Sequence, residues 1–152
     1  MKSIKTLAAI AFAALTLSLT GCSKDPEDLI IGSWEMTSMT MSLTSSETPD
    51  QPWVETWSPE AGESTVLTFN KDNTMTITET ADGHSETENG TYNVDDNTLS
   101  MTYTVEDGPL TKTQTFTISK IDKKNMTLTA NESGEEDGIT ITESLTIELA
   151  KK

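Results

Sequence analysis

The chain of 152 residues contains no arginine, one cysteine and one histidine. Without arginine, no guanidinium group can hold a phosphate or a carboxylate through paired hydrogen bonds. A single cysteine cannot form an intrachain disulfide, so the stability of the fold must come from its core. The lone histidine, His84, cannot build a zinc site or a nucleophilic dyad without a second histidine or an available thiol. We therefore expect no metal and no cofactor, and we predict that the protein is not an enzyme.

Acidic residues outnumber basic residues by 25 to 10, which gives a formal net charge of -15. A field of this sign repels the phosphate backbone, so we expect no nucleic-acid partner. It equally disfavours docking of the protein surface on anionic lipid headgroups. Any attachment to a membrane must therefore use another device.

The first 21 residues have the organisation of a secretory signal. Lys2 and Lys5 precede an apolar run over residues 7–19, which is too short to span a bilayer. The segment ends in Leu19-Thr20-Gly21-Cys22, which resembles the signal of bacterial lipoproteins. That resemblance implies cleavage before Cys22 and lipid addition to its thiol, with several acyl chains on the one cysteine, as stable anchoring requires. The alternative is a free thiol after an ordinary signal peptide, which is a liability in an oxidising compartment.

Residues 22–28 are predicted to form an acidic tether between the lipid and the folded domain. The segment 23–28 resembles the export signal of surface lipoproteins in Bacteroidetes-type bacteria; the alternative is a solvated linker that faces the periplasm. We therefore expect the protein at the outer membrane, exposed either at the cell surface or in the periplasm. Loss of Lys2 and Lys5 with the signal makes the net charge of -15 more negative by two units.

Residues 29–152 are predicted to form one all-β domain. Apolar residues alternate with threonines in short segments separated by turn residues, as in Leu67 and Phe69 before Asn70. With an opening strand over residues 32–43, the pattern predicts eight strands joined by short connections. Such a meander closes most simply into an eight-stranded antiparallel up-and-down β-barrel, and closure removes the edges that promote association. We expect a monomer; a β-sandwich is the alternative architecture.

The connections predict two different ends of this barrel. Tight turns near Asn73, Asn97 and Asn125 alternate with links over residues 44–63, 80–89, 106–110 and 131–138, which we expect to be the longer loops. Alternate connections of an up-and-down barrel lie at the same end. Trp34, near the start of the first strand, would then close the floor at the end with tight turns.

Gly32-Ser33-Trp34 resembles the Gly-x-Trp motif of the lipocalin family. The segments 67–73 and 90–92 are similar to lipocalin-like domains of bacterial lipoproteins, and the resemblance covers residues 29–149. It implies a barrel that binds a small molecule. Lipocalins usually place an arginine near the end of the chain to stack on the tryptophan. This chain has none, so either Lys151 stacks on Trp34 or aliphatic side chains pack against it.

The candidate site lies at the end with the longer loops. Two tryptophans in the 44–63 loop are predicted to cover the mouth, above polar residues on the inward parity of their strands. The predicted ligand, small and apolar or amphipathic, would contact Trp53, Trp57, Glu79, Tyr92, Met101, Tyr103, Lys112 and Phe116. The rival hypothesis is a structural or interaction module whose own side chains fill the barrel, with the surface contacting protein or glycan. An enzyme that uses Glu79 or Glu143 for acid–base chemistry is a third alternative.

Overall fold

The computed structural model describes residues 25–104 and 111–152. They form one short helix and nine antiparallel strands, in which eight strands close a barrel. No helix in the described part of the chain is long and apolar enough to cross a membrane. The elements are α1 Pro26–Ile30, β1 Gly32–Ser45, β2 Trp53–Trp57, β3 Ser64–Phe69, β4 Thr74–Ala81, β5 His84–Asp95, β6 Thr98–Thr104, β7 Thr111–Ile121, β8 Asn125–Glu136 and β9 Ile139–Lys151.

The sheet confirms the predicted eight-stranded up-and-down barrel. Strands β3 to β9 pair with their neighbours in chain order, and all pairs are antiparallel. Strand β9 then pairs with β1, and residues 32–35 of β1 pair with β3. This last pairing closes the circle and excludes the β-sandwich alternative.

The predicted loop over residues 44–63 is wrong in its middle part. Residues 53–57 form β2, which pairs with residues 39–43 of β1 and with no other strand among the described residues. Tryptophan, valine and threonine all favour extended backbone, and β1 offers them an unpaired edge. The two tryptophans are therefore on a strand rather than on a flexible lid.

Two further links are much shorter than predicted. The 80–89 link is a hairpin turn at Asp82 and Gly83, and the 131–138 link is a hairpin turn at Asp137 and Gly138. In both turns the two central residues have positive φ, at 53° and 78° in the first and at 53° and 80° in the second. Asp-Gly favours this backbone, so the polar segments continue as strands. The predicted link over 106–110 lies outside the described residues.

Threonine and serine stabilise the extended hairpins from the outer face. Thr78 and Thr87 share a hydrogen bond of 3.1 Å across β4 and β5, and Ser133 and Thr142 share one of 3.0 Å across β8 and β9. Each cross-strand pair of this kind contributes roughly 0.2–1 kcal/mol to the stability of the sheet. Polar sequences that look like loops thus remain paired as strands.

The hydrophobic core fills the half of the barrel that carries the β3–β4, β5–β6 and β7–β8 turns, here called the closed half. Helix α1 covers its end, where the buried Ile30 packs against the barrel. The core side chains are Ile30, Trp34, Leu67, Phe69, Met75, Tyr92, Val94, Leu99, Met101, Phe116, Ile118, Met126, Leu128 and Leu149.

Trp34 closes the floor as predicted. Its side chain is 0% exposed, and its Nε1 donates a hydrogen bond of 2.6 Å to the carbonyl of Ile30. The ammonium of Lys151 lies 4.1 Å from the centroid of the Trp34 ring and donates to the carbonyls of Leu29 and Ile31. Lys151 therefore takes the stacking position that lipocalins give to arginine. Burial lowers the pKa of Lys151.

Gly32 makes room for this lysine. Its φ is 120°, a conformation that side chains disfavour, and a Cβ there would lie 3.0 Å from Cε and Nζ of Lys151. The glycine and the tryptophan of the Gly-x-Trp motif thus both contribute to one contact, in which Lys151 of β9 packs against the start of β1.

Candidate ligand-binding site

The other half of the barrel, here called the open half, is not continuous. On one side, β3 reaches only residues 32–35 of β1, and beyond them β2 takes its place. Within the described residues, β2 forms no ladder with β4. The wall is therefore interrupted between β2 and β4.

A second interruption separates β7 from β8. These strands pair only between residues 117–121 and 126–129, with a bulge in the ladder. Beyond that ladder, residues 111–116 pair with β6 and residues 130–136 pair with β9. The open half thus consists of two leaves. The apolar leaf is formed by β2, the open-half part of β1, β9 and residues 130–136 of β8. The polar leaf is formed by the open-half parts of β4, β5 and β6 and by residues 111–116 of β7.

The inner face of the apolar leaf carries large hydrophobic side chains that the other leaf does not cover. The bulge between Met36 and Ser38 shifts the register of β1, so that residues 39, 41 and 43 share the inner face with Trp34. Three side chains of the leaf stay solvent-exposed, to 51% in Trp53, 37% in Trp57 and 42% in Ile141. The face consists of Met39, Met41, Leu43, Trp53, Trp57, Ile141, Leu145 and Ile147, together with Glu55, Glu132 and Glu143.

The inner face of the polar leaf is rich in carboxylates. Glu79 continues the face of Met75 and Ile77, as predicted, and lies directly opposite Glu86 in the β4–β5 ladder. Glu88 follows on β5, opposite Ile77. Burial raises the pKa of Tyr103, and the nearby charges of Glu88 and then Glu79 raise it further. The Tyr103 hydroxyl donates a 3.0 Å hydrogen bond to Oε1 of Gln114.

Each interruption of the wall opens into a groove between the leaves. The first groove, between β2 and β4, has a volume of about 540 Å³ and is lined by Met36, Met39, Met41, Trp57, Glu55 and Glu79, among others. The second, between β7 and β8, has a volume of about 580 Å³ and a more polar lining that includes Gln114, Glu132 and Glu143. Volumes of roughly 300–1,000 Å³ are typical of small-molecule sites. The first groove combines this size with an apolar wall.

A family model described as a lipocalin-like domain matches residues 30–128. The chain belongs to the lipocalin-like domain family. Two solved structures are similar to it: a lipocalin-like protein from Bacteroides uniformis, with 13% identity over 75% of this chain and 96% of the other and a TM-score of 0.44, and an uncharacterized protein from Bacteroides eggerthii, with 15% identity over 81% and 99% and a TM-score of 0.47. Among curated proteins, none matches the chain.

In this lipocalin-like domain the predicted ligand contacts fall into three groups. Trp53 and Trp57 lie on the inner face of the apolar leaf, and Trp57 lines the first groove. Glu79 lies across that groove on the polar leaf, where Tyr103 and Lys112 are neighbours in the β6–β7 ladder. These five residues belong to the open half.

The other three predicted contacts lie in the closed half. Tyr92, Met101 and Phe116 are buried in the core. The Tyr92 hydroxyl donates a 2.7 Å hydrogen bond to the carbonyl of Asn70, and its ring meets Phe69 edge to face with the ring centroids 4.9 Å apart. Tyr92 and Met101 pack within the floor, away from both grooves. Phe116 lies at the border with the open half, where its buried side chain belongs to the core and also lines the second groove.

The methionines of β1 and Glu55 were missed as groove residues by the sequence prediction. Met39, Met41 and Leu43 alternate with Thr40 and Ser42, which is the period-two signal of a strand with one apolar face. That signal was available, but Trp34 has the opposite parity to Met39, and only the bulge places both on one face.

No group of side chains in the described ranges is arranged to hold a metal ion. His84 is exposed and pairs with Ala81 beside the β4–β5 turn. Cys22, the predicted lipidation site, lies outside the described residues, as do the signal segment 1–21 and the first part of the tether. Helix α1 begins at Pro26, within the segment predicted as a tether.

Proposed function

We propose that this lipocalin-like domain binds a small apolar or amphipathic molecule in the groove between β2 and β4. The observation that carries the proposal is the pairing of an uncovered apolar wall, formed by Met39, Met41 and Trp57, with a polar wall that includes Glu79. Burying that apolar wall against a ligand releases about 25 cal/mol for each Å² removed from water. The domain binds and does not catalyse in this proposal.

The closed half supports this assignment because its interior has no room for a ligand. Its interior is occupied by large side chains such as Trp34 and Phe69, so the floor is filled. The inner face of the open half instead offers flexible methionines, which adapt to irregular ligands. The ligand therefore lies above the floor, between the leaves.

We further propose that a lipid on Cys22 holds the domain at the bacterial outer membrane. The signal-like segment 1–21 and the small residues before Cys22 support this proposal. In a chain with Cys22→Ser, the protein should move from the membrane fraction to the soluble fraction. Ser23→Ala is the matched control and should stay with the membrane. Retention of the Cys22→Ser protein in the membrane would contradict lipid anchoring.

Binding is tested with decanol and a chain that begins at Ser23, which retains every helix and strand described. Exposed indoles emit at longer wavelengths than buried ones, and Trp34 is an internal reference because it is fully buried. We expect decanol to shift the emission of Trp53 and Trp57 to shorter wavelength in a saturable manner.

Two variants of β2 locate the binding. Trp57→Ala removes a side chain from the groove wall and should weaken decanol binding by about tenfold, on the order of 1–2 kcal/mol of lost apolar contact. Val54→Ala removes an exposed side chain from the outer face of the same strand and should leave the affinity unchanged. No saturable response to decanol would contradict the proposal and favour the rival, an interaction module. Equal losses in the two variants would place the site elsewhere.

A further inference from the structure

The described lysines of the barrel are concentrated at its closed end, whereas carboxylates occur at both ends. The lysines at the closed end lie in turns, near the end of β7 and at the end of β9, where Lys151 contacts two carbonyls and Lys152 contacts the carboxylate of Glu35. Lys112 on β7 is the one described lysine in the open half. Those at the closed end are Lys71, Lys120, Lys123, Lys124, Lys151 and Lys152. The open half is therefore strongly negative, and a field of this sign concentrates cations at the grooves.

Two pairs of carboxylates oppose each other directly on the inner faces. Glu79 and Glu86 are partners in the β4–β5 ladder, and Glu132 and Glu143 are partners in the β8–β9 ladder. Like charges directly opposite in a sheet destabilise it. The sheet thus carries an electrostatic cost on each leaf, and a positive charge bound between the leaves would reduce it.

The first groove adds an aromatic surface to this charge. Its charged lining residues are Glu55, Glu63 and Glu79, and no basic side chain of the described residues is among them. Trp57 lines the same groove. An indole face beside carboxylates is the arrangement that recognises alkylated ammonium groups, because the ring and the carboxylates both attract the cation. A metal ion would gain little from the methionine wall, whereas an organic cation uses both.

We propose that the ligand of the first groove is an amphipathic organic cation, whose apolar body lies on Met39 and Met41 and whose ammonium-type head lies between Glu55 and Glu79 beside Trp57. This inference rests on the proposed function and adds the charge of the ligand to it. The negative charge of Glu79 and Glu88 is already felt within the polar leaf, where it acts on Tyr103. An anionic amphiphile would instead meet carboxylates on both walls.

Three ligands that share a ten-carbon chain test the inference: decyltrimethylammonium, decanol and decyl sulfate, each below its micelle concentration. Calorimetry with the chain that begins at Ser23 should give the cation at least about a tenfold higher affinity than decanol, and decyl sulfate the lowest. Added salt should weaken binding of the cation and leave that of decanol nearly constant, because only the former depends on charge attraction.

A pair of charge variants locates the preference. Glu79→Gln should reduce the ratio of the cation affinity to the decanol affinity by about threefold or more, since one carboxylate of the groove is neutralised. Glu135→Gln removes the same charge from the outward parity of β8 and should leave the ratio unchanged. Equal effects of the two variants would show a general field effect and overturn the groove assignment.

The outcomes separate the two proposals. Equal affinities for the cation and decanol, or a preference for decyl sulfate, would overturn the inference about charge while leaving the proposed function in place. Failure of all three ligands to bind would contradict the proposed function itself. Binding of both decanol and the cation, tighter for the cation and weakened for both in Trp57→Ala, would support both.

Discussion

The closed and open halves of this barrel differ in the pairing of their strands and in how far side chains fill their interiors. In the closed half, every strand pairs with both neighbours, and large side chains such as Trp34 and Phe69 fill the space they enclose. In the open half, β2 is separate from β4 and residues 111–116 of β7 are separate from β8. Hydrogen-bond closure and side-chain filling therefore stop at nearly the same level of the barrel. Stability is concentrated below that level, and binding is proposed above it.

The largest contrast is expected between two tryptophans. Trp34→Ala removes a fully buried ring, its hydrogen bond to Ile30 and its contact with Lys151, and should cost about 3–5 kcal/mol of unfolding free energy. Trp57→Ala removes a ring that is 37% exposed and should cost about 1 kcal/mol or less. Urea unfolding of both variants measures the difference. Similar losses would contradict the division into two halves.

The same substitution, leucine to alanine, can be compared in the two halves. Leu99→Ala creates a cavity in the filled floor and should cost about 2–4 kcal/mol. Leu43 lies on the uncovered face of the apolar leaf, where water can replace the lost side chain. Leu43→Ala should therefore cost about 1 kcal/mol of unfolding free energy. Thermal unfolding of the two variants gives the order. A larger effect at Leu43 would mean that the open half is packed as tightly as the floor.

The closed half was the part that the sequence allowed us to predict. Segments such as Leu67 to Phe69 and Met126 to Leu128 alternate strictly, and each apolar position is buried as the alternation indicates. Trp34 and the three tight turns were placed at the correct end for the same reason. Burial of one face fixes both strand and parity, so a local pattern is sufficient there.

The structure of the open half depends on strand pairings that the local alternation of apolar and polar residues does not reveal. Strand β2 is short, lies among proline and acidic residues, and exists because β1 provides an edge for it. The bulge between Met36 and Ser38 reverses the parity of β1 without a sequence signal of its own. Strands β4, β5 and β8 were predicted too short because their polar ends look like loops. The separation into leaves follows from these long-range pairings.

A smaller contrast concerns two neighbouring lysines at the closed end. Lys151→Met removes the cation above Trp34 and leaves the carbonyls of Leu29 and Ile31 without this donor, which should cost about 1–2 kcal/mol. Lys152→Met removes an exposed ion pair with Glu35 at 3.4 Å and should cost at most about 0.5 kcal/mol. Chemical denaturation measures both. Equal, small effects would show that Lys151 does not stabilise the floor.

The smallest effect is expected from two turn carboxylates of the closed half in acid. The side-chain hydrogen bond from Thr74 lowers the pKa of Asp72, and backbone hydrogen bonds from Lys124 and Asn125 lower the pKa of Asp122. A carboxylate with a depressed pKa in the folded state stabilises the protein above its unfolded value, near 3.8, and loses that contribution as the pH falls through its folded value.

The variant that combines Asp72→Asn and Asp122→Asn should therefore lose less stability than the parent chain when the pH is lowered from 5 to below 3. Unfolding midpoints across this range measure the slope. An identical slope in the two proteins would show that these turns do not contribute to acid sensitivity.

Methyl NMR of the methionines compares the two halves most directly. Apart from Met1, which precedes Ser23, the chain has Met36, Met39 and Met41 at the first groove and the buried Met75, Met101 and Met126 in the floor. When decyltrimethylammonium is added to the labelled chain, the three groove methyls should shift together with one saturation curve, while the three floor methyls stay in place. Shifts of the floor methyls with unchanged groove methyls would contradict a binding site between the leaves.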